Sequence, residues 1–117
     1  IAYTSQMMHI IAVSVCDDEN LFQYQGFEGD SFRGCTRVAA LDVPLWTQLF
    51  SMNAQALCTA LERLEGNLHA YRQVIQAGDW EALSGKLAYS AARKRKMNRM
   101  VEARGAVGRD RTPEPSA

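Results

Sequence analysis

The 117 residues suffice for one domain with a modest core, and an apolar share of 47% argues for a folded globular chain over a disordered one. Formal charge totals zero at pH 7, with no apolar run near the ~20 residues needed to span a bilayer. Three cysteines, an odd number at positions 16, 35 and 58, give neither a disulfide framework nor metal-ligand spacing, and read as reduced thiols of a cytoplasmic protein.

The chain starts at Ile1 rather than at an initiator Met, and an apolar helical pattern is running by Tyr3. It therefore reads as part of something longer, with the missing part on its N-terminal side. Residues 3–16 place Met7, Ile10, Ile11, Ser14 and Val15 at three- and four-residue spacing, which predicts an amphipathic helix. The run Met7–Val15 lacks the basic flank and cleavage site of a signal peptide. Asp17 to Asn20 ends the helix, and Gly26 and Gly29 make residues 20–34 irregular or short-helical. Residues 1–30 hold five acids and no Lys or Arg.

Thr36 to Leu41 has room for a turn or two of helix. "DVPLW" is then a strong start signal, with Asp42 as N-cap and Pro44 inside the first turn, where its missing N–H costs nothing. Trp46, Phe50, Leu57, Leu61, Leu64, Leu68, Tyr71 and Ile75 continue at alternating three- and four-residue steps, with Asn53 the one polar interruption. This pattern predicts one continuous helix of ~30 residues, ~45 Å long. Such a stripe lets two helices follow one another, so a second copy is expected to pack along it.

Gly78 and Asp79 are a C-cap and the next N-cap. Trp80, Leu83, Leu87, Ala91 and Met97 are the expected inner face of a last helix running to about Glu102. Residues 105–117, with two glycines and two prolines, are expected to be a disordered tail, leaving residues 1–104 as the folded domain. Residues 93–111 carry eight bases. Such a run can bind nucleic acid, yet no aromatic interleaves it as a stacking platform, and Lys and Arg are favoured at a helix C-terminus. A solvated helix end is the expectation, with neither nucleic acid nor membrane as a partner. No strand pattern, repeat or glycine-rich phosphate loop occurs.

Few residues are candidates for chemistry. His69, beside Asn67 and Arg72, reads as surface. His9, among Met7, Met8, Ile10 and Ile11, is either a hydrogen-bonded core histidine or a ligand contact, and no second His or Cys pair makes a metal site with it. Cys16 and Cys35 read as small buried thiols rather than nucleophiles. Arg37 stands between Thr36 and the apolar "VAAL", and an Arg in such company needs an anionic or carbonyl partner. A carboxylate ligand would suit its bidentate fork, and a salt bridge to Asp42 or Glu28 would serve equally. Arg33, nearer the glycines, reads as exposed.

"YTSQMMHIIA" followed by "GDSFRGCTRVAALDVPLWTQLFSMN" resembles the C-terminal helical domain of prephenate dehydrogenases, the NAD(P)-linked enzymes of tyrosine synthesis. Ser5 and His9 match the family's Ser-x-x-x-His. Phe32, Arg33, Thr36, Arg37, Val38 and Ala39 match its Phe-Arg/Lys-x-x-Thr-Arg-Ile/Val-Ala, and Asp42, Leu45 and Trp46 match its Asp-Pro-x-x-Trp with Val43 inserted. Gly29-Asp30-Ser31 departs from the family's run of glycines, and Gly34 stands where an Asp is common. The resemblance spans roughly residues 3–100.

The resemblance implies an all-α dimerisation domain of the 6-phosphogluconate-dehydrogenase C-terminal-like type, with a long central helix and no sheet. It implies oxidative decarboxylation of prephenate, or of arogenate, in the whole enzyme. NAD or NADP would be bound by an N-terminal dinucleotide-binding domain that also holds the catalytic histidine. This segment by itself would bind no cofactor and be inactive. Carried over by motif, Arg37 would pair with a substrate carboxylate, His9 would contact a polar group, Trp46 would wall the pocket, and Arg33 is a weaker second cation. The competing expectation is a non-enzymatic helical homodimer whose basic C-terminal end docks a partner.

Overall fold

The computed structural model describes the backbone of residues 1–111 and the side chains of residues 1–105. Every regular element among the described residues is helical, so the fold is all-α as the periodicities require. Five α-helices follow in order: α1 (Met7–Cys16), α2 (Asp30–Thr36), α3 (Val43–Ser51), α4 (Ala54–Gln76) and α5 (Trp80–Arg111). A π-helical turn, Ala2–Gln6, leads into α1, and 3-10 turns occupy Leu21–Tyr24 and Arg37–Ala39. The chain divides into two compact units, residues 1–68 and residues from 69 onward.

The first unit takes its order from α1. The π turn closes with the Gln6 amide donating to the Ile1 carbonyl at 2.9 Å, five residues back. Met7 on α1 packs with Leu57 and Ala60 of α4, and Ile10, Ile11, Phe50, Leu61 and Leu64 flank that cluster half-buried. The turn Arg37–Ala39 and helix α2 both lie against α1. Gly26, at φ +90°, takes the left-handed conformation that lets the chain turn back between Tyr24 and Asp30.

The Asp42 start signal operates as its residue types require. Asp42 Oδ1 accepts from the Leu45 amide at 3.1 Å, and Pro44 sits in the first turn. The single ~30-residue helix expected from the stripe is instead two, because α3 ends at Ser51 and α4 begins at Ala54. Neither Gly nor Pro causes the break. The Ser51 hydroxyl donates to the Gln48 carbonyl at 2.7 Å, the Asn53 amide falls back to Phe50, and the Asn53 side chain bonds elsewhere. The 23 residues of α4 still make a long central helix, ~35 Å at 1.5 Å per residue.

The second unit joins the end of α4 to α5 through Gly78 and Asp79. Gly78 has φ +67°, the left-handed C′ position, and the Asp79 amide returns to the Val74 carbonyl at 3.0 Å. Asp79 Oδ1 caps α5 at the Ala82 amide. Tyr71 Oη lies 3.0 Å from Ser90 Oγ, and the Lys86 ammonium sits 4.8 Å above the Tyr71 ring. Of the expected inner face of α5, Leu83 and Ala91 are half-buried, whereas Trp80 is 62% exposed and Leu87 and Met97 are exposed.

Helix α5 continues to Arg111, past the expected end near Glu102. Gly105 and Gly108 each cost a helix only ~1 kcal/mol, so neither ends it. Residues 112–117, the remainder of the expected tail, lie outside the described residues. Among those described, no helix is long and apolar enough to cross a membrane.

Candidate functional site

The two aromatic candidates meet. His9, half-buried on α1, stacks on Trp46 of α3 with ring centroids 3.8 Å apart and planes 23° from parallel. Trp46 in turn leans on Phe50, one turn further along α3, at 5.6 Å. His9 Nδ1 lies 2.9 Å from the Ser5 carbonyl oxygen. A carbonyl only accepts, so Nδ1 carries a proton and donates it. Nε2 is then an acceptor in the neutral ring and a second donor in the charged one. The Ser-x-x-x-His pair is thus used through the serine's main chain.

The arginines are placed differently from one another. Arg37 opens the 3-10 turn that lies against α1, the helix bearing His9, and its side chain is exposed. Among the described residues no side-chain hydrogen bond to Arg37 occurs, and Thr36 fixes the preceding backbone by donating from its hydroxyl to the Phe32 carbonyl at 2.7 Å. Arg33 is exposed in the last turn of α2, and its charge is felt at Glu28. Glu28 Oε2 accepts from the Gly26 amide at 2.8 Å. Bonds from the Glu28 and Gly26 main chain, with a smaller push from the Arg33 guanidinium, hold the Glu28 carboxyl below the ordinary carboxylate range. Of the two carboxylates considered for Arg37, then, Glu28 feels Arg33, and Asp42 is engaged as the cap of α3.

Two residues of this region were not among the candidates read from the sequence. Gln6, only 5% exposed, is the one buried polar side chain among those described. Its Nε2 donates to the Leu49 carbonyl at 3.3 Å, and its Oε1 accepts from Asn53 Nδ2 at 2.8 Å. Asn53 was visible as the polar interruption of the stripe, but its partner, 47 positions away in sequence, was not. The cysteines correct an expectation: Cys35 and Cys58 are exposed and Cys16 half-buried, because Cys35 falls on the outer side of a short helix. His69 lies on the surface as expected, accepting from Arg72 Nη2 at 3.0 Å through Nδ1. No group of three or more His, Cys, Asp or Glu side chains among the described residues is arranged to hold a metal ion.

A family model described as the dimerization domain of prephenate dehydrogenase matches residues 1–89. The chain belongs to the prephenate dehydrogenase dimerization-domain family. The match takes in every site residue discussed above and stops before the basic run that starts at Arg93. A cyclohexadienyl dehydrogenase of Zymomonas mobilis is 32% identical over 89 residues, covering 71% of this chain and 30% of that enzyme. The crystal structure of a Synechocystis arogenate dehydrogenase superposes with a TM-score of 0.72 over 82% of this chain and 37% of that one, at 20% identity. That likeness carries the fold. The chain thus spans about a third of the length of these dehydrogenases. The prephenate dehydrogenase family belongs to aromatic amino acid biosynthesis, and this member keeps its all-helical dimerization domain.

Proposed function

We propose that this chain is the dimer-forming and substrate-recognising part of an NAD(P)-linked enzyme that oxidatively decarboxylates prephenate or arogenate. The observation that carries the reading is the His9–Trp46 stack on a helix that also supports the Arg37 turn. Such an arrangement offers an exposed cation, a polar nitrogen and an aromatic wall to a cyclohexadienyl carboxylate. The Arg37 guanidinium would hold the carboxylate that the substrate retains, matching it bidentately. His9 Nε2, freed by the commitment of Nδ1 to Ser5, would meet a hydroxyl or carbonyl of the ligand. Trp46 would cover the ring and exclude water from that side. These are orienting roles, and they fit a reaction in which the cofactor supplies the redox chemistry.

The dinucleotide site would lie outside this segment. No G-x-G-x-x-G occurs in the sequence, and the described residues form no βαβ unit. NAD or NADP would be held elsewhere in the whole enzyme, and no chemical step is assigned to this segment alone. Its second task, pairing two copies, is supported by the many large apolar side chains left exposed, among them Leu68 and Ile75 on α4 and Trp80 and Leu87 on α5.

Arg37→Ala in the intact enzyme tests the recognition reading. A charge-assisted bond of this kind contributes about 1.5–3 kcal/mol, so affinity for prephenate is expected to fall roughly 10- to 150-fold. Arg33→Ala, which removes the charge felt at Glu28, is expected to change it little. Parent-like affinity in a folded Arg37→Ala enzyme would overturn the assignment.

A further inference from the structure

Gln6 and the aromatic pair are parts of one contact. Gln6 and His9 are three residues apart and share a face at the start of α1. Trp46, Leu49, Phe50 and Asn53 recur at helical spacing along α3 and its exit. Gln6 meets the far end of that face, at the Leu49 carbonyl and the Asn53 amide, while His9 meets its near end at Trp46. The two segments therefore run antiparallel here, with a hydrogen-bonded anchor at one end and the stack at the other.

We propose that buried Gln6 and half-buried Asn53 form an amide pin that sets the register of α3 on α1, and so holds Trp46 over His9. They are positioning residues for the candidate pocket, and this role rests on the substrate-site reading given above. Three observations make the pin specific. Gln6 is the one buried polar side chain described in the chain, and both ends of its amide are used. Apolar contacts alone are tolerant of sliding, whereas an amide that must both donate and accept at a buried site leaves a costly unpaired group if it moves. Asn53 also sits where α3 stops and α4 starts, so the same bond accompanies the break in the long stripe.

The pin also accounts for the otherwise unexplained polar residue on each element. Asn53 interrupts an apolar pattern that hydrophobic packing would have continued, and Gln6 is the polar side chain that meets it. A methionine at 6 and a leucine at 53 would fill similar volumes and leave only the Leu49 carbonyl without its side-chain donor. What they would lack is direction.

The experiment follows from that difference. In the intact protein, the His9 ring protons, assigned by their loss in His9→Gln, lie over the indole face and are displaced upfield by its ring current. Trp46→Leu supplies the unstacked baseline. Gln6→Met and Asn53→Leu are each expected to lose most of that displacement and to lower the melting temperature, because each leaves the other residue's amide without its partner. The double variant, which removes both side-chain amides and leaves only the Leu49 carbonyl without its donor, is expected to regain part of the lost stability without regaining the displacement. If a single variant unfolds, the double variant carries the test. Retention of the displacement in a folded single variant overturns the pin, as does its return together with stability in the double variant. The signal is read without substrate, so failure of the pin is distinguishable from failure of the Arg37 assignment.

Discussion

His9 has one nitrogen committed to the Ser5 carbonyl, and its ring face is covered by Trp46. Its remaining chemistry is confined to Nε2. Nearby, Glu28 supplies a residue-scale prediction with a definite sign. Its carboxyl is held below the ordinary value of 4.5, first by main-chain bonds at Glu28 and Gly26 and then by Arg33. A lowered folded value means that its contribution to the loop is present above the ordinary range and is lost as pH falls through the lowered one. The Gly26 amide resonance is expected to titrate with a midpoint below 4.5, and Arg33→Gln should move that midpoint upward. A midpoint at or above 4.5 in the parent would contradict the assignment. At this scale the sequence exposed residue types but not their pairings. His9 and Trp46 were both legible as candidates, 37 positions apart, yet only the fold brings the rings to 3.8 Å. Arg33 and Arg37 looked alike in composition, and their separation depends on which one the Gly26 turn brings near Glu28.

The helices carry their own boundary signals. Asp42 and Asp79 cap α3 and α5, and both were readable because an N-cap needs a short acceptor side chain directly before the first turn. Asp42→Ala is expected to cost about 1 kcal/mol in urea denaturation, the usual loss for an N-cap. Gly78 needs its left-handed φ of +67°, so Gly78→Ala should cost about 1–2 kcal/mol although a Cβ there would meet no neighbour. Stability unchanged by either substitution would mean that these ends are set by packing and not by their caps. The break between α3 and α4 was not legible. It is accompanied by a hydrogen bond that Asn53 donates to Gln6 near the start of the chain, and no local pattern reports a long-range partner. The π turn at Ala2–Gln6 was equally silent, since its residues suit an α-helix as well.

The first unit buries only four apolar residues, Met7, Ala12, Leu57 and Ala60, and no large side chain in the described chain is completely enclosed. Burying Met7 or Leu57 contributes about 1.5–3 kcal/mol and an alanine methyl roughly 0.8 kcal/mol, against ~1–2 kcal/mol of backbone entropy for every residue ordered. In the second unit, Trp80, Leu87, Met97 and Met100 are each more than half exposed. The all-α class and the long apolar stripe could be read from periodicity, and the stripe already called for a partner. Which side chains would stay uncovered could not, because that depends on where each helix meets its neighbours. Large exposed aromatics at the centre of an interface typically contribute 2 kcal/mol or more, so Trp80→Ala is expected to weaken self-association roughly 30-fold. Sedimentation of the parent chain at micromolar concentration is the most direct measurement of the central claim, that this fold is completed by a second copy of itself. The expected result is a species of twice the 13.0 kDa chain mass, with a melting temperature that rises with concentration. A folded 13.0 kDa monomer whose melting temperature ignores concentration would contradict it.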